Sequence, residues 1–222
     1  RYIVEGQHLV EEALKSGQVE TVIVAEQVDF SVNVQEVEVI EVTDSIAREL
    51  AATETSQMVF DCCIKKEQPF YDAKRKRYLR INAVLERGNV GTLIRTADAA
   101  GVDGVVIGKG SADIYNPKVL RAAQGSTFHV PLYEMELDEA FQTLQCLQIP
   151  IYATGWTAQA KPYNEVSKDE GFALIVGNEG NGVAPYYMER ADEVIFIPMY
   201  GQAESLNVGI AAGIVLFHYR MK

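Results

Sequence analysis

The chain has 222 residues, 48% apolar and 23% charged, which suits one large or two modest globular domains and contains no apolar run long enough to cross a bilayer. Three cysteines (Cys62, Cys63 and Cys146), two of them adjacent, exclude a disulfide framework and fit a reducing cytosol, and no Cys/His spacing suits a metal. The net charge of −11 weighs against nucleic acid as a partner unless basic residues gather locally.

The first residues read as domain rather than signal peptide, and residues 1–66 as a small α/β unit. Leu9, Val10, Ala13 and Leu14 recur at helical spacing, with His8 just ahead as a cap or surface contact and Gly17 as the stop. Val19 to Ala25, Val37 to Val42 and Gln57 to Ile64 read as strands, the last carrying Cys62 and Cys63 as small buried hydrophobes. Thr43 opens a short helix. Residues 67–77 form a charged linker interrupted by Pro69 and carrying Lys74, Arg75, Lys76 and Arg77. Arg80, Arg87, Arg95, Lys118 and Arg121 follow, while many of the acids lie elsewhere.

Residues 78–222 alternate strand and helix, the signature of a mostly parallel sheet covered on both faces. Strands are predicted at 78–84, 103–107, 128–132, 149–154, 172–176 and 193–197, and helices at 89–100, 116–124, 137–147, 183–190 and 204–220. Residues 155–171 carry no convincing period, and Trp156 there packs over the sheet edge.

Three segments place Gly, Asn and Ser just beyond predicted strands, at the edge where open α/β sheets bind ligands. The first runs from Asn89 through Gly91 to Arg95-Thr96-Ala97. The second is Gly177-Asn178-Glu179-Gly180-Asn181-Gly182, and the third is Ile197-Pro198-Met199 with Ser205-Leu206-Asn207. In the first, Val90, Leu93, Ile94 and Ala97 face the sheet and leave Arg95 on the flank, either free for a ligand or paired with an acid such as Asp98. The second lacks the Lys of a phosphate loop and the spacing of a dinucleotide fingerprint, and Glu179 would repel a pyrophosphate. A neutral or cationic ligand suits it better. The third opens a helix, Val208 to Phe217, that is apolar on every side and calls for burial all round.

In this order the segments resemble the three motifs of the SpoU (TrmH-type) RNA ribose 2′-O-methyltransferases. The resemblance implies methylation of a ribose 2′-hydroxyl in structured rRNA or tRNA from S-adenosyl-L-methionine, without metal. It implies that Asn89, Arg95, Glu179, Ser205 and Asn207 form the reacting site. Thr154, Gly177, Asn178, Ile197, Met199 and Leu206 would hold the cofactor, and Lys74, Arg75, Lys76, Arg77, Arg87 and Arg121 would meet RNA. The family assigns proton acceptance to the arginine matching Arg95, but a guanidinium is so rarely deprotonated that positioning the ribose and phosphate suits it better. The implied architecture is a small ribosomal-protein-like RNA-binding domain, a parallel sheet ending in a trefoil knot, and a homodimer. Three departures stand out: Glu86-Arg87 for the usual Asp-Pro, Gly209 for a common Ser, and Ser56-Gln57-Met58 for Pro-Gln-Gly. A non-catalytic relative of the same fold is the alternative. A Rossmann dehydrogenase ranks far behind, since its glycine fingerprint and acidic ribose ligand are missing.

Overall fold

The computed structural model describes residues 1–30, 37–66, 69–70, 76–167 and 170–220, which form two sheets. The smaller contains β1 (Tyr2–Glu5), β2 (Val19–Ala25), β3 (Glu38–Val42) and β4 (Val59–Cys63) in the order β1-β4-β2-β3, with only β2 and β3 parallel. Helix α1 (Gln7–Ser16) buries Leu9, Val10 and Ala13 and stops where Gly17 turns left-handed at φ 67°. Helix α2 (Asp44–Leu50) buries Ala47. Sequence reasoning overlooked β1, and His8 lies inside α1 rather than before it. At Met58 φ is 56°, a conformation that costs a side-chain-bearing residue about 1–2 kcal/mol, at the position where the family motif has glycine.

The larger sheet is built from β5 (Arg77–Ile81), β6 (Gly104–Gly108), β7 (Leu132–Met135), β8 (Ile151–Thr154), β9 (Lys161–Pro162), β10 (Phe172–Val176) and β11 (Glu193–Phe196). They lie in the order β7-β6-β5-β10-β8-β11-β9, every pair parallel. One face carries α3 (Arg87–Ala99), α4 (Pro117–Ala123) and α7 (Val208–Arg220), and the other α5 (Leu137–Cys146) and α6 (Pro185–Arg190). Because both faces are covered, the central strands are apolar throughout: all five residues of β6 and of β10 are buried. Helices α3 and α4 cross at Gly91, where a Cβ would lie 2.4 Å from the Val119 carbonyl oxygen, so glycine sets their spacing.

Three predicted elements move. The strand expected at 128–132 begins at Leu132, and Ser126–Phe128 coil into a 3-10 turn after Gln124 and Gly125 take left-handed conformations. The last helix starts at Val208 rather than 204, because the Asn207 side chain accepts from the Gly209 amide at 2.9 Å and the Ile210 amide at 3.4 Å and so marks its start. The connection at 155–171 contains β9 and a 3-10 turn at Tyr163–Glu165.

The two sheets meet through α4. Its Leu120 is buried with Val4, Leu9, Ala13 and Cys63, and the rings of Tyr2 and Tyr115 sit 4.4 Å apart. Beside them His129 joins Glu12 of α1 (2.7 Å) to Asp98 of α3 (3.0 Å). Hydrogen bonds to Glu12, then to Asp98, raise the imidazole's pKa above its ordinary 6.5. The contact therefore stabilises fully below that value and is lost as pH climbs through the raised one. In thermal melts His129→Ala should trail the parent clearly at about pH 6 and converge on it by about pH 9. A gap of equal size at both would refute the charged clasp.

Candidate active site

A cavity of about 710 Å³ opens at the carboxyl edge of the large sheet, beyond the ends of β8, β10 and β11. This is the edge at which parallel sheets present loops and helix starts to a ligand. Its wall carries Asn89 from α3, Thr154 at the end of β8 and Trp156 just beyond it, Gly177 to Gly180 after β10, and Phe196 at the end of β11 with Ile197, Met199 and Glu204 to Val208 beyond it.

The three sequence motifs converge through side chains. Glu179 accepts from the Asn89 amide group at 3.0 Å and from the backbone amides of Glu86 (3.1 Å) and Leu85 (3.3 Å). Asn89 in turn accepts from the Asn207 amide group at 2.8 Å. A continuous chain Glu179–Asn89–Asn207 thus ties the loop after β10 to the starts of α3 and α7, from residues 90 and 118 positions apart. Partial burial works against ionising Glu179, yet the donors from Asn89, Leu85 and Glu86 outweigh it and hold the carboxyl below its usual range.

The second motif owes its shape to two glycines. Asn178 and Gly182 exchange backbone hydrogen bonds, while the Asn178 side chain accepts from the amides of Gly180 (2.9 Å) and Asn181 (3.1 Å) and donates to the Ala83 carbonyl (3.0 Å). Gly182 takes φ 68°, and a Cβ on Gly177 would fall 2.0 Å from the Gly182 carbonyl carbon. No other residue type fits at 177.

Two of the departures from the family pattern acquire a physical reason here. Glu86 supplies the cap of α3, accepting from the Asn89 amide at 2.7 Å and from Lys118 at 2.6 Å. Lys118 first, then the backbone amides of Gly88 and Asn89, hold its carboxyl down to about 2. At Gly209 a Cβ would lie 2.7 Å from Thr92 Cγ2, so the smaller residue matches the threonine it faces.

Of the residues singled out from sequence, Asn89, Thr154, Gly177, Asn178, Glu179, Ile197, Met199, Ser205, Leu206 and Asn207 line this one cavity. Arg95 does not. It is exposed on α3, with no hydrogen bond or ion pair among the described residues, and Asp98 is engaged by His129 instead. The basic strip is dispersed. Lys74 and Arg75 lie outside the described residues. Lys76 pairs with Glu170 at 3.3 Å and Arg77 with Asp103 at 3.6 Å, at the amino edge of the sheet and away from the cavity. Arg80 is fully buried, donating to the Leu137 carbonyl and stacked on Phe141. Arg87 is exposed, two residues before the cavity residue Asn89, and Arg121 faces Glu5 at 3.9 Å. Sequence reasoning missed Trp156 and Phe196 as wall residues; their positions just beyond and at the ends of β8 and β11 were the available signal.

The donor set decides what the cavity can hold. Its wall has amides, the hydroxyls of Thr154 and Ser205, apolar side chains and the carboxylates Glu179 and Glu204, and among the described residues no Lys or Arg. A phosphate-bearing dinucleotide would meet two negative charges without compensation, whereas a ligand with sulfonium and ammonium groups is matched. A second cavity of about 710 Å³ lies at the amino ends of β8 and β11, lined by Gln145, Gln148, Asp192 and Glu193. None of the glycine- and asparagine-rich loops reaches it. Among the described residues no cluster of His, Cys, Asp and Glu could hold a metal, and no helix is long and apolar enough to cross a membrane.

Comparison with known proteins agrees with this geometry. Residues 76–217 match the SpoU rRNA Methylase family, and residues 1–60 match the MRM3-like substrate binding domain. The chain is 42% identical, over 99% of its length and 88% of the relative's, to the 23S rRNA (guanosine(2553)-2′-O)-methyltransferase RlmP of Bacillus subtilis (strain 168). Among solved structures, the AdoMet-bound rRNA methyltransferase from Sinorhizobium meliloti superposes with a TM-score of 0.87 at 28% identity, covering 99% of this chain and 86% of that one. A crystal structure described as an RNA 2′-O ribose methyltransferase gives 0.80 at 27% identity, covering 98% and 86%. With its family match spanning most of the chain and a relative at 42% identity along nearly all of it, the protein belongs to the SpoU rRNA methylase family.

Proposed function

We propose that this protein methylates the ribose 2′-hydroxyl of a nucleotide in ribosomal RNA, with S-adenosylmethionine as donor. The observation that carries the reading is the chain Glu179–Asn89–Asn207, which closes one side of a cavity lined by no lysine or arginine among the described residues. The donor supplies a methyl group on a positively charged sulfur, so the protein's task is alignment. Gly177, Asn178, Thr154, Ile197, Met199 and Leu206 hold the cofactor, Gly177 by letting backbone approach it. Glu179 and Asn207 fix the Asn89 amide, and Ser205 lies beside them toward the hydroxyl. Arg95, exposed and without a partner among the described residues, orients the ribose and its phosphate. Arg87 and Arg121 join the RNA-facing surface.

The same reading extends to assembly. Residues 1–66 form an RNA substrate-binding domain and 78–222 the methyltransferase domain, the last ~50 residues of which are threaded as a trefoil knot. The meeting of the loops after β10 and β11 at one cavity supports the threading, and a backbone trace that pulls straight from its carboxyl end would refute it. The protein works as a cytoplasmic homodimer. Ile210 and Phe217 of α7 are 56% and 44% exposed in the single chain, on a helix whose every side is apolar, and a second copy would cover them.

The deciding experiment maps 2′-O-methyl groups in ribosomal RNA from cells with and without the protein. Loss of one modified nucleotide is expected, restored by the purified enzyme. Calorimetry should show saturable S-adenosylhomocysteine binding unchanged by EDTA, on a preparation with a two-chain mass in light scattering. An unchanged methylation map with no cofactor binding would sink the proposal, and a one-chain mass the dimer.

A further inference from the structure

Trp156 is the only tryptophan in the chain. Packing over the sheet edge leaves it no chemical role, yet the structure puts it on the cavity wall with 75% of its surface exposed. Its ring meets Phe196 edge to face, centroids 4.5 Å apart and planes at 71°. One contact of that kind steadies the indole and, at such exposure, leaves a face open.

The wall divides into two kinds of surface. Asn89, Glu179 and Asn207 form the hydrogen-bonded, acidic part, which suits the cationic end of the donor. The ends of β8 and β11 contribute Trp156, Phe196 and Ile197, none of them charged. A flat, uncharged π-system fits that surface, since aromatic faces stack at little cost in specificity for hydrogen bonding. Such a ligand part is an adenine ring.

We propose that Trp156 is a stacking platform for the adenine of the bound cofactor, held in place by Phe196, and so a positioning residue for cofactor affinity rather than for the methyl transfer itself. This rests on the S-adenosylmethionine reading of the cavity. The rival occupant is a base of the RNA, which would stack on the same face only when substrate is present.

The absence of any other tryptophan makes the test direct, because intrinsic indole fluorescence reports this position alone. S-adenosylhomocysteine is titrated into the full-length protein without RNA, with calorimetry and fluorescence in parallel. The expected result is a saturable change in emission whose midpoint matches the calorimetric one, with the indole protected from acrylamide quenching at saturation. Trp156→Ala should weaken S-adenosylhomocysteine about tenfold, the usual scale for losing one stacking partner, and Trp156→Phe should recover most of it. Both variants should melt with the parent, because so exposed a side chain adds little to the core.

Calorimetric binding with silent fluorescence, or undiminished affinity in Trp156→Ala, would overturn the assignment while leaving the cofactor reading intact. So would a Trp156→Ala enzyme that binds S-adenosylhomocysteine normally but needs more RNA to reach half its maximal rate, which would give the indole to the RNA. No calorimetric binding by the parent would remove both.

Discussion

Arg95→Ala is expected to lower single-turnover methyl transfer by roughly 100-fold or more, the scale of losing one aimed charge at a reacting centre. Cofactor affinity and melting temperature should stay where they are. The asymmetry follows from placement. Arg95 is exposed, is absent from the cavity wall and makes no hydrogen bond or ion pair among the described residues, so its removal breaks nothing that holds the fold or the cofactor. Surface substitutions of that kind move stability by about 0.5 kcal/mol at most. An arginine on the helix that carries Asn89, with no partner among the described residues, is available to substrate, and an interaction made mainly in the transition state appears in turnover rather than in binding. Arg95→Lys should recover part of the rate, because the charge returns without the planar fork that grips ribose and phosphate. Equal losses in cofactor binding and rate would contradict the role.

The second large effect is Gly177→Ala, for which the expected result is loss of measurable cofactor binding together with a melting temperature lower by roughly 5–10 °C. The added Cβ would stand 2.0 Å from the Gly182 carbonyl carbon and 2.1 Å from the Val183 nitrogen. Both are backbone, so no rotamer change relieves the clash and the Asn178–Gly182 turn must open. Opening it displaces Glu179, and with Glu179 goes the anchor of Asn89 and Asn207. Overpacking of this kind costs about 1–3 kcal/mol, and a domain of this size loses about 2–4 °C per kcal/mol. Gly201→Ala is the control, because nothing lies within 4 Å of a Cβ there. Normal cofactor binding by Gly177→Ala would mean that this loop is not part of the cofactor site.

Periodicity and punctuation made most elements legible along the chain. The stripe Leu9, Val10, Ala13 is the buried face of α1, Gly17 ends it left-handed, and Asn116-Pro117 opens α4 with the Asn116 side chain accepting from the Lys118 amide at 3.0 Å. Such signals act over one or two turns, so a single sequence displays them. The identity of the cavity residues was legible for another reason: Gly, Asn and Ser at strand ends are expensive unless a tight turn or a ligand uses them, and ten of the eleven assigned to the reacting and cofactor sites line one cavity. Boundaries set by distant partners were not legible. Helix α7 starts at Val208 because Asn207 caps it while donating to Asn89, 118 residues away.

Charge was the least legible property, because sign is local in sequence but solvation and pairing are decided in three dimensions. Arg80 reads as part of a basic strip, yet the strand pairing of β5 between β6 and β10 turns its side chain into the core against Phe141. Lys76, just before that strand, and Arg77, its first residue, end up at the opposite edge of the sheet from the cavity, matched by Glu170 and Asp103. Trp156 reads as sheet-edge packing, and only the meeting of β8 with β11 turns it into cavity wall. The sequence by itself determined which residue types gather at strand ends and hence the chemistry the site can do. The tertiary structure alone decided which charges are spent inside the fold and which, Arg87 and Arg95 among them, stay exposed with no partner among the described residues, because burial and pairing depend on neighbours that the chain brings from far away.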